Sequence, residues 1–204
     1  MLKVLLTGFE PFNNARLNPS GELVKAVESN SVEGAHISTA VLPVTYKDSA
    51  SKLLSLIQDQ DPDVIICFGQ AEGRISITPE RFALNLNDAS IADNSGEKRV
   101  NQRISEDSPT AFESTLPVNE IVSALKEQGI PAAASLSAGA FVCNHIFYEM
   151  QSELEGRGKV SGFVHVPLMT EQQDDFPGLF TMDLELMVSA AKTMVQELVA
   201  RTNQ

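Results

Sequence analysis

The feature that most constrains the fold is a short apolar run enclosed by two chain breaks. Val64-Ile65-Ile66-Cys67-Phe68 follows Asp61-Pro62 and precedes Gly69. Proline disfavours helical backbone in the residue before it, so Asp61-Pro62 ends the helical pattern that leads up to this point. A continuous apolar, β-rich run bounded in this way is typical of a central strand. The chain therefore contains a buried strand preceded by a helix.

Strand-like and helix-like segments alternate on both sides of this run. We predict strands over Leu2–Thr7, which Gly8 ends, and over His36–Leu42, Phe82–Asn87, Pro131–Leu136 and Val160–Val166. We predict helices from a start at Asn18–Glu22, and over Tyr46–Gln60, Val118–Gln128, Phe141–Glu155 and Met182–Val199. This alternation favours an α/β fold, a three-layer sandwich with a central, mostly parallel twisted sheet and helices on both faces. Between the elements, Asp88–Ser108 is predicted to be a long loop, and such loops are often functional.

Composition and charge limit the classes of function. The 204 residues are 43% hydrophobic and 21% charged, as in soluble globular proteins, and no repeat or linker divides them, so we expect a single domain over residues 1–204. A net charge of -12 opposes nucleic-acid binding and a polybasic membrane surface. No apolar run is as long as a membrane span and no signal segment opens the chain, so we expect a cytoplasmic protein without a membrane partner. Because HExxH, paired CxxC and glycine-rich phosphate motifs do not occur, we expect neither metal nor cofactor.

Cys143 is the candidate nucleophile. It follows the small residues Ser137-Ala138-Gly139-Ala140 and stands where the next helix is predicted to begin. Unpaired N–H groups and the helix dipole at such a position favour a thiolate, and the same donors can bind a developing oxyanion. The alternative is an unreactive cysteine packed under the helix. Cys67, inside the apolar strand, is the contrasting case and is predicted to be structural.

A cysteine nucleophile needs a base and a group that orients it. His165 is the best of three histidines because it lies near the end of a predicted strand, where α/β sheets collect their sites. His36 is predicted to be a surface bystander, and His145 lies two residues after Cys143, so it points in another direction on the helix. For the orienting carboxylate, spacing alone does not separate Glu80 from Glu72.

Taken together, these residues resemble type I pyroglutamyl peptidase, also called pyrrolidone-carboxylate peptidase, a family of cysteine peptidases. The resemblance covers nearly the whole chain and is carried by Thr7–Phe12, Asn18–Ser20, Leu42–Val44, Gly73–Arg74, Glu80–Asn85, Ser135–Asn144 and Gly162–Pro167. It implies hydrolysis of an N-terminal pyroglutamyl residue from peptides through a thioacyl-enzyme. The catalytic triad that it implies is Glu80, Cys143 and His165.

The resemblance also implies the substrate-binding residues. Aromatic side chains of the family's ring pocket match Phe9, Phe12 and Phe141, with Val142 beside the nucleophile. Asn18 and Gln70 match positions that hydrogen-bond the lactam. A flat, neutral lactam packs well on aromatic rings while a few polar groups fix its edge. The alternative for Phe9 and Phe12 is ordinary core packing around a turn.

The sequence also departs from the family. Members commonly contain Asp-Ala-Arg-Ile-Pro-Asp-Asn, whereas Ser90 here stands in place of the arginine, and Arg99 or Arg103 of the same loop are candidates to compensate. Ala140 replaces a usual threonine and Glu72 a common glycine. Two other functions therefore stay open: an amidase of another small lactam or acyl group, and a weakly active ligand-binding relative. The family often forms dimers or tetramers, so a homo-oligomer is expected, with Phe176–Phe180 forming the contact or covering the site.

Overall fold

The computed structural model describes residues 1–28 and 31–202. Its helices are α1 (Pro19–Glu28), α2 (Tyr46–Gln60), α3 (Val118–Glu127), α4 (Val142–Leu154) and α5 (Leu184–Thr202). Its strands are β1 (Leu2–Phe9), β2 (Ala35–Leu42), β3 (Val64–Gln70), β4 (Thr78–Leu84), β5 (Ala111–Glu113), β6 (Ser135–Ser137), β7 (Val160–Val166), β8 (Leu168–Met169) and β9 (Thr181–Met182). A 3₁₀ turn covers Thr170–Gln172. None of the helices described is long and apolar enough to cross a membrane.

A seven-stranded sheet forms the centre of the fold, with strand order β2-β1-β3-β7-β4-β5 and β6 paired to β4. β2, β1, β3 and β7 are parallel to one another, whereas β4 is antiparallel to β7. Residues Thr78 and Pro79 at the start of β4 therefore lie beside His165 and Val164 at the end of β7. This reversal brings the first residues of one strand to the carboxyl edge of the parallel strands.

Helices cover both faces of the sheet. In β3, alternate residues point to opposite faces, as pleating requires. Ile66 and Phe68 pack in one core layer with α1, α3 and α5, whereas Ile65 and Cys67 pack in the other with α2 and α4. The structure confirms the predicted three-layer α/β sandwich with a mostly parallel sheet.

The predicted ends of β1 and β3 are wrong, and both errors occur at glycines. β1 continues through Gly8 to Phe9, and β3 continues through Gly69 to Gln70. At Gly8 the backbone of α1 comes so close that an added methyl group would lie 2.0 Å from the carbonyl oxygen of Ser20. These glycines therefore admit close neighbours inside a strand, and they do not end it.

Other differences lie from β4 onwards. The strand predicted over Phe82–Asn87 is β4, Thr78–Leu84, so Glu80 lies inside a strand and not in the loop before it. The strand predicted over Pro131–Leu136 is reduced to β6, Ser135–Ser137. Met182 belongs to the two-residue strand β9 and not to the last helix. The helix α2 and the strand β7 have the predicted bounds, and Asp88–Ser108 contains no helix or strand, as predicted.

The close contact at Gly8 gives a test of the fold. We expect Gly8→Ala to lower the free energy of unfolding by at least about 2 kcal/mol, because the contact with α1 is with backbone and leaves little room to adjust. Gly156→Ala is the comparison: its methyl group would meet no atom within 4 Å, and only its φ of +73° opposes it. Urea denaturation measures both. Equal effects of the two changes would contradict the contact between β1 and α1.

Candidate active site

The carboxyl edge of the parallel strands brings Cys143 and His165 to the same face of the sheet. Gly69 on β3 is the register partner of His165 on β7. A methyl group on Gly69 would lie 2.9 Å from the Sγ of Cys143 and 2.8 Å from the ring of Phe163. Paired residues on parallel strands project to the same side, about 4.8 Å apart. The sulfur therefore lies over the glycine next to His165, in space that a side chain at position 69 would occupy.

Cys143 is the second residue of α4 and therefore lies at the start of that helix, as predicted from the sequence. The helix begins after Phe141, whose carbonyl oxygen accepts the N–H of His145 at 3.0 Å. The earlier N–H groups of the helix, including that of Cys143, have no acceptor within the helix itself and lie at the positive end of its dipole.

Asn144 fixes the start of this helix against the end of β4. Its side-chain amide donates to the carbonyl oxygens of Leu84 and Leu86, at 2.8 and 2.9 Å, and its Oδ1 accepts the N–H of Leu84 at 2.8 Å. Asn144 is fully buried. Because buried hydrogen bonds to backbone are costly to break, this residue holds the cysteine at a constant height above the sheet.

The predicted stabilisation of a thiolate at Cys143 is wrong for the resting site. Burial of the sulfur raises the pKa of Cys143 from 9.0 to about 12, and the negative charge of Glu80 adds to the rise. A hydrogen bond from the backbone N–H of Cys143 to its own sulfur lowers the pKa, but by less than burial and Glu80 raise it. The resting sulfur is therefore a thiol at neutral pH, and its proton has to be removed by a base during any reaction.

Glu80 and His165 form a buried, hydrogen-bonded pair. The Nδ1 of His165 is 2.8 Å from the Oε1 of Glu80, across the antiparallel pair of β4 and β7. The Glu80 side chain is completely buried and that of His165 is 6% exposed. The same Oε1 accepts a hydrogen bond from Arg74 at 3.3 Å. A carboxylate on Nδ1 sets the tautomer of the imidazole and leaves Nε2 to exchange a proton.

Aromatic rings lie beside the nucleophile. The rings of Phe12 and Phe141 are 5.3 Å apart, and the ring of Tyr46 stands edge-on to that of Phe141 at 5.6 Å. Phe9 is buried and belongs to the same core layer, against which Phe12, Phe141 and Cys143 pack. This arrangement provides an apolar, aromatic wall beside a thiol, a base and unpaired backbone donors.

Comparisons with known proteins agree with this geometry. The pyroglutamyl peptidase family profile matches residues 2–201. Pyrrolidone-carboxylate peptidases from Vibrio parahaemolyticus and Bacillus cereus are each 43% identical to this chain over 98% of its length, covering 93% and 97% of those proteins. This chain belongs to the pyroglutamyl peptidase family.

Solved structures of the pyroglutamyl peptidase family have the same fold. Pyroglutamyl peptidase I of Bacillus amyloliquefaciens superposes with a TM-score of 0.94 at 40% identity and covers 98% of both chains. A mutant pyrrolidone carboxyl peptidase of Pyrococcus furiosus gives 0.94 at 36% identity, covering 98% of this chain and 99% of that one. The pyroglutamyl peptidase family consists of cysteine peptidases that remove N-terminal pyroglutamate, so the amidase and binding-protein alternatives are not favoured.

The structure distinguishes among the alternatives that spacing left open. Glu72 is exposed in a turn, whereas Glu80 contacts His165. His36 is exposed on β2, and His145 is buried on α4 with its ring 5.4 Å from that of Tyr46. Of the three histidines, the structure therefore gives only His165 a carboxylate partner at the carboxyl edge.

The other substrate-binding residues predicted from the sequence, Gln70, Val142 and Asn18, lie at the same edge of the sheet. They differ in burial and in hydrogen bonding. Gln70 ends β3, and its Oε1 accepts a hydrogen bond from Gln172 at 3.1 Å. Val142 is fully buried in the core, so only its backbone is free to face a ligand. The Asn18 side chain is engaged within its own turn: Oδ1 accepts from both the N–H and the hydroxyl of Ser20, and Nδ2 donates to the carbonyl oxygen of Glu10.

Arg99 and Arg103 take different positions in the long loop. The Arg99 guanidinium lies 4.4 Å from the centre of the Tyr46 ring, and thus beside the aromatic wall. Arg103 donates to the carbonyl oxygens of Ser105 and Ser108 within its own loop. Ser90 is exposed. Arg99 is therefore the arginine of this loop that approaches the site.

Sequence reasoning gave no role to Arg74, Tyr46 and Asn144 and considered His145 only as a base, so the contacts of these four residues around the centre were not predicted. Only Arg74 had a signal, because it follows Gly73 in a short turn after a central strand and precedes the glutamate motif. The other three stand inside helix patterns, where a polar contact made across the fold leaves no periodic trace. Among the described residues, no group of three or more His, Cys, Asp or Glu side chains is placed to hold a metal ion.

Burial of His145 gives a pH-dependent stability. Desolvation, assisted by the charge of Arg99, lowers the pKa of His145 from 6.5 to about 4. The unfolded chain therefore binds more protons between these values, so the stabilisation is full above pH 6.5 and is lost as the pH falls towards 4. When the pH falls from near 7 to about 4.5, we expect the free energy of unfolding to decrease by about 2–3 kcal/mol more in the native protein than in the His145→Gln variant. His36→Gln, at an exposed histidine, should behave as the native protein in urea denaturation at the two pH values. Identical pH dependence in all three proteins would rule out the buried neutral imidazole.

Proposed function

We propose that this chain hydrolyses the amide bond after an N-terminal pyroglutamyl residue, with Cys143 as nucleophile, His165 as base and acid, and Glu80 as the group that orients His165. The observation that carries the assignment is the 2.8 Å contact between His165 Nδ1 and the buried Glu80. His165 lies on the strand next to Gly69, the glycine over which the Cys143 sulfur lies. The substrate class is pyroglutamyl peptides.

Acylation follows from the protonation states. The Cys143 thiol is neutral at rest because its pKa is raised to about 12. His165 Nε2 accepts the thiol proton as the sulfur attacks the pyroglutamyl carbonyl carbon, and Glu80 stabilises the imidazolium that forms. The carbonyl oxygen becomes an oxyanion, for which the free N–H groups at the start of α4 are the donors. His165 then donates the proton to the leaving amine, and the shortened peptide departs.

Deacylation reverses the roles with water. His165 removes a proton from a water molecule, which attacks the thioester carbonyl carbon. The tetrahedral intermediate expels the Cys143 sulfur, which regains its proton from His165. Free pyroglutamate leaves and the resting thiol is restored. Two moderate barriers thus replace the single high barrier of direct amide hydrolysis.

The aromatic wall favours a neutral ring over an ordinary N-terminus. Phe12 and Phe141 offer ring faces and edges but no charge, which suits a lactam, and the buried Phe9 belongs to the core layer against which they pack. An unblocked α-amino group carries a positive charge at neutral pH, and burying it against these rings would remove its hydration without supplying a partner. Gln70 and Asn18 lie where hydrogen bonds can fix the lactam edge, Asn18 through its main chain because its side chain is engaged.

Cys143→Ser is the direct test of the nucleophile. We expect it to abolish release of a fluorescent amine from a pyroglutamyl substrate, with kcat falling by at least about 10³-fold, because the less acidic hydroxyl is a poorer nucleophile in a site built for sulfur. Cys67→Ala is the matched control and should keep activity within about threefold, since Cys67 packs inside the sheet against Met150. Hydrolysis that survives in Cys143→Ser would refute the assignment.

Arg99 and Arg103 are tested by the same assay. We expect Arg99→Met to lower kcat/KM by about 5- to 20-fold, because it removes a cation lying on Tyr46 at the aromatic wall. Arg103→Met removes an equal charge from the same loop, but one that contacts only that loop, and should change kcat/KM by less than about twofold. Equal losses in the two variants would show that loop charge as such matters and not the position of Arg99.

Assembly and location are further parts of this proposal. Leu179 and Phe180 are 40% and 39% exposed, which supports a homo-dimer or homo-tetramer that covers the Phe176–Phe180 segment. Sedimentation equilibrium gives the mass of the assembly. Both cysteines are free, which supports a cytoplasmic location, where thiols are kept reduced. The family match over residues 2–201 supports one pyroglutamyl-peptidase domain over residues 1–204.

A further inference from the structure

Glu80 is buried more completely than a lone carboxylate tolerates. Its side chain is 0% exposed, and its Oε2 has no hydrogen-bond partner among the described residues. Oε1 makes both of its contacts, with His165 at 2.8 Å and Arg74 at 3.3 Å. A neutral imidazole supplies a hydrogen bond but no charge. While His165 waits as a base, Arg74 is therefore the permanent positive charge next to the carboxylate.

The chain places Arg74 at this position by a turn. The N–H of Arg74 donates to the carbonyl oxygen of Ala71 at 3.3 Å, and Gly73 has a φ of +77°, which suits glycine in the left-handed region. The turn directs the arginine back over the start of β4. There its guanidinium also donates to the Ser135 hydroxyl at 3.2 Å, and Ser135 is the register partner of Glu80 on β6.

Few charged or titratable groups lie near Glu80 among the described residues. Arg74 reaches it from the turn after β3, His165 from β7, and Cys143 on α4 lies close enough for its pKa to be raised by the Glu80 charge. The neighbour on β6 is the uncharged Ser135, and Glu113 on β5 is exposed opposite Phe82. Arg74 is 33% exposed, so its charge is moderated by solvent but not removed.

We propose that Arg74 is a positioning residue of the site. Its guanidinium supplies the fixed positive charge beside the buried Glu80 carboxylate and keeps Oε1 directed at His165, so that Nδ1 of the imidazole stays bound to Glu80 and Nε2 stays free. This inference rests on the proposed roles of Glu80 and His165. Arg74 does not touch the substrate and acts only through Glu80.

Arg74→Met should change the pH dependence of the reaction. Without the fixed cation, every proton of the coupled Cys143, His165 and Glu80 site becomes harder to remove. The acid limb of the profile of kcat/KM against pH should shift to higher pH by about one unit. At a given pH on that limb, kcat/KM should therefore be about tenfold lower. The native and variant rates should converge at high pH, with KM unchanged. Arg74→Lys keeps a charge and should shift the limb by less than half as much.

Two controls separate this role from a merely structural one. Arg81→Met removes the same charge from the next residue of β4, whose side chain points away and binds Asn119, and should leave the limb in place. In a Glu80→Gln background, adding Arg74→Met should change kcat/KM by less than about twofold, because the carboxylate through which Arg74 acts is gone. A loss that is equal at all pH values, or that adds fully to Glu80→Gln, would overturn the proposal.

Alkylation tests the inference without a substrate. The rate at which iodoacetamide modifies Cys143, followed by mass spectrometry against pH, reports deprotonation of the same coupled site. Arg74→Met should move this profile to higher pH, and Arg81→Met should not. If the native protein did not cleave pyroglutamyl peptides but Arg74→Met still shifted the alkylation profile, the proposed function would be refuted and the role of Arg74 would be supported. An unshifted alkylation profile would overturn the role of Arg74.

Discussion

The reversal of β4 against β7 is the constraint on which the site depends. In a wholly parallel sheet, the residues at the start of a strand lie at the opposite edge from those at the end of its neighbour. Because β4 runs the other way, Thr78 and Pro79 pair with His165 and Val164, and Glu80 comes within 2.8 Å of the imidazole. A carboxylate from the beginning of one strand and a base from the end of another thus meet without any long loop to hold them.

The rest of the site is built around the cost of burying that carboxylate. Hydrogen bonds from His165 and Arg74 stabilise Oε1, and the negative charge, together with desolvation, keeps the nearby thiol protonated. The Cys143 sulfur is therefore a neutral thiol at rest, and in the proposed mechanism it loses its proton only as a bond to the substrate forms. The Asn144 contacts with β4 matter for the same reason, since they prevent the helix that carries the thiol from moving relative to the carboxylate.

Local pattern predicted much of the fold, because most elements here are either largely apolar strands or amphipathic helices. The bounds of α2 and β7 followed from residues that break regular structure on each side, such as Asp61 and Pro167. Gly8 and Gly69 misled the prediction, since the close approach of α1 and of the Cys143 sulfur is tertiary. Spacing likewise could not separate Glu80 from Glu72, because the pairing of β4 with β7 decides between them. Glu80 and the aromatic residues Phe9, Phe12 and Phe141 were predicted from the resemblance to a family and not from periodicity.

The high pKa of the Cys143 thiol has a consequence for the durability of the protein. Peroxide and other small electrophiles attack a thiolate, and sulfur that is oxidised beyond the sulfenic state does not return to a thiol by simple reduction. A sulfur that stays protonated beside Gly69 until an acyl group arrives is the form least exposed to such damage. In the proposed mechanism, the same burial obliges His165 to take part in every turnover and shields the Cys143 sulfur between turnovers from oxidants that would otherwise inactivate it.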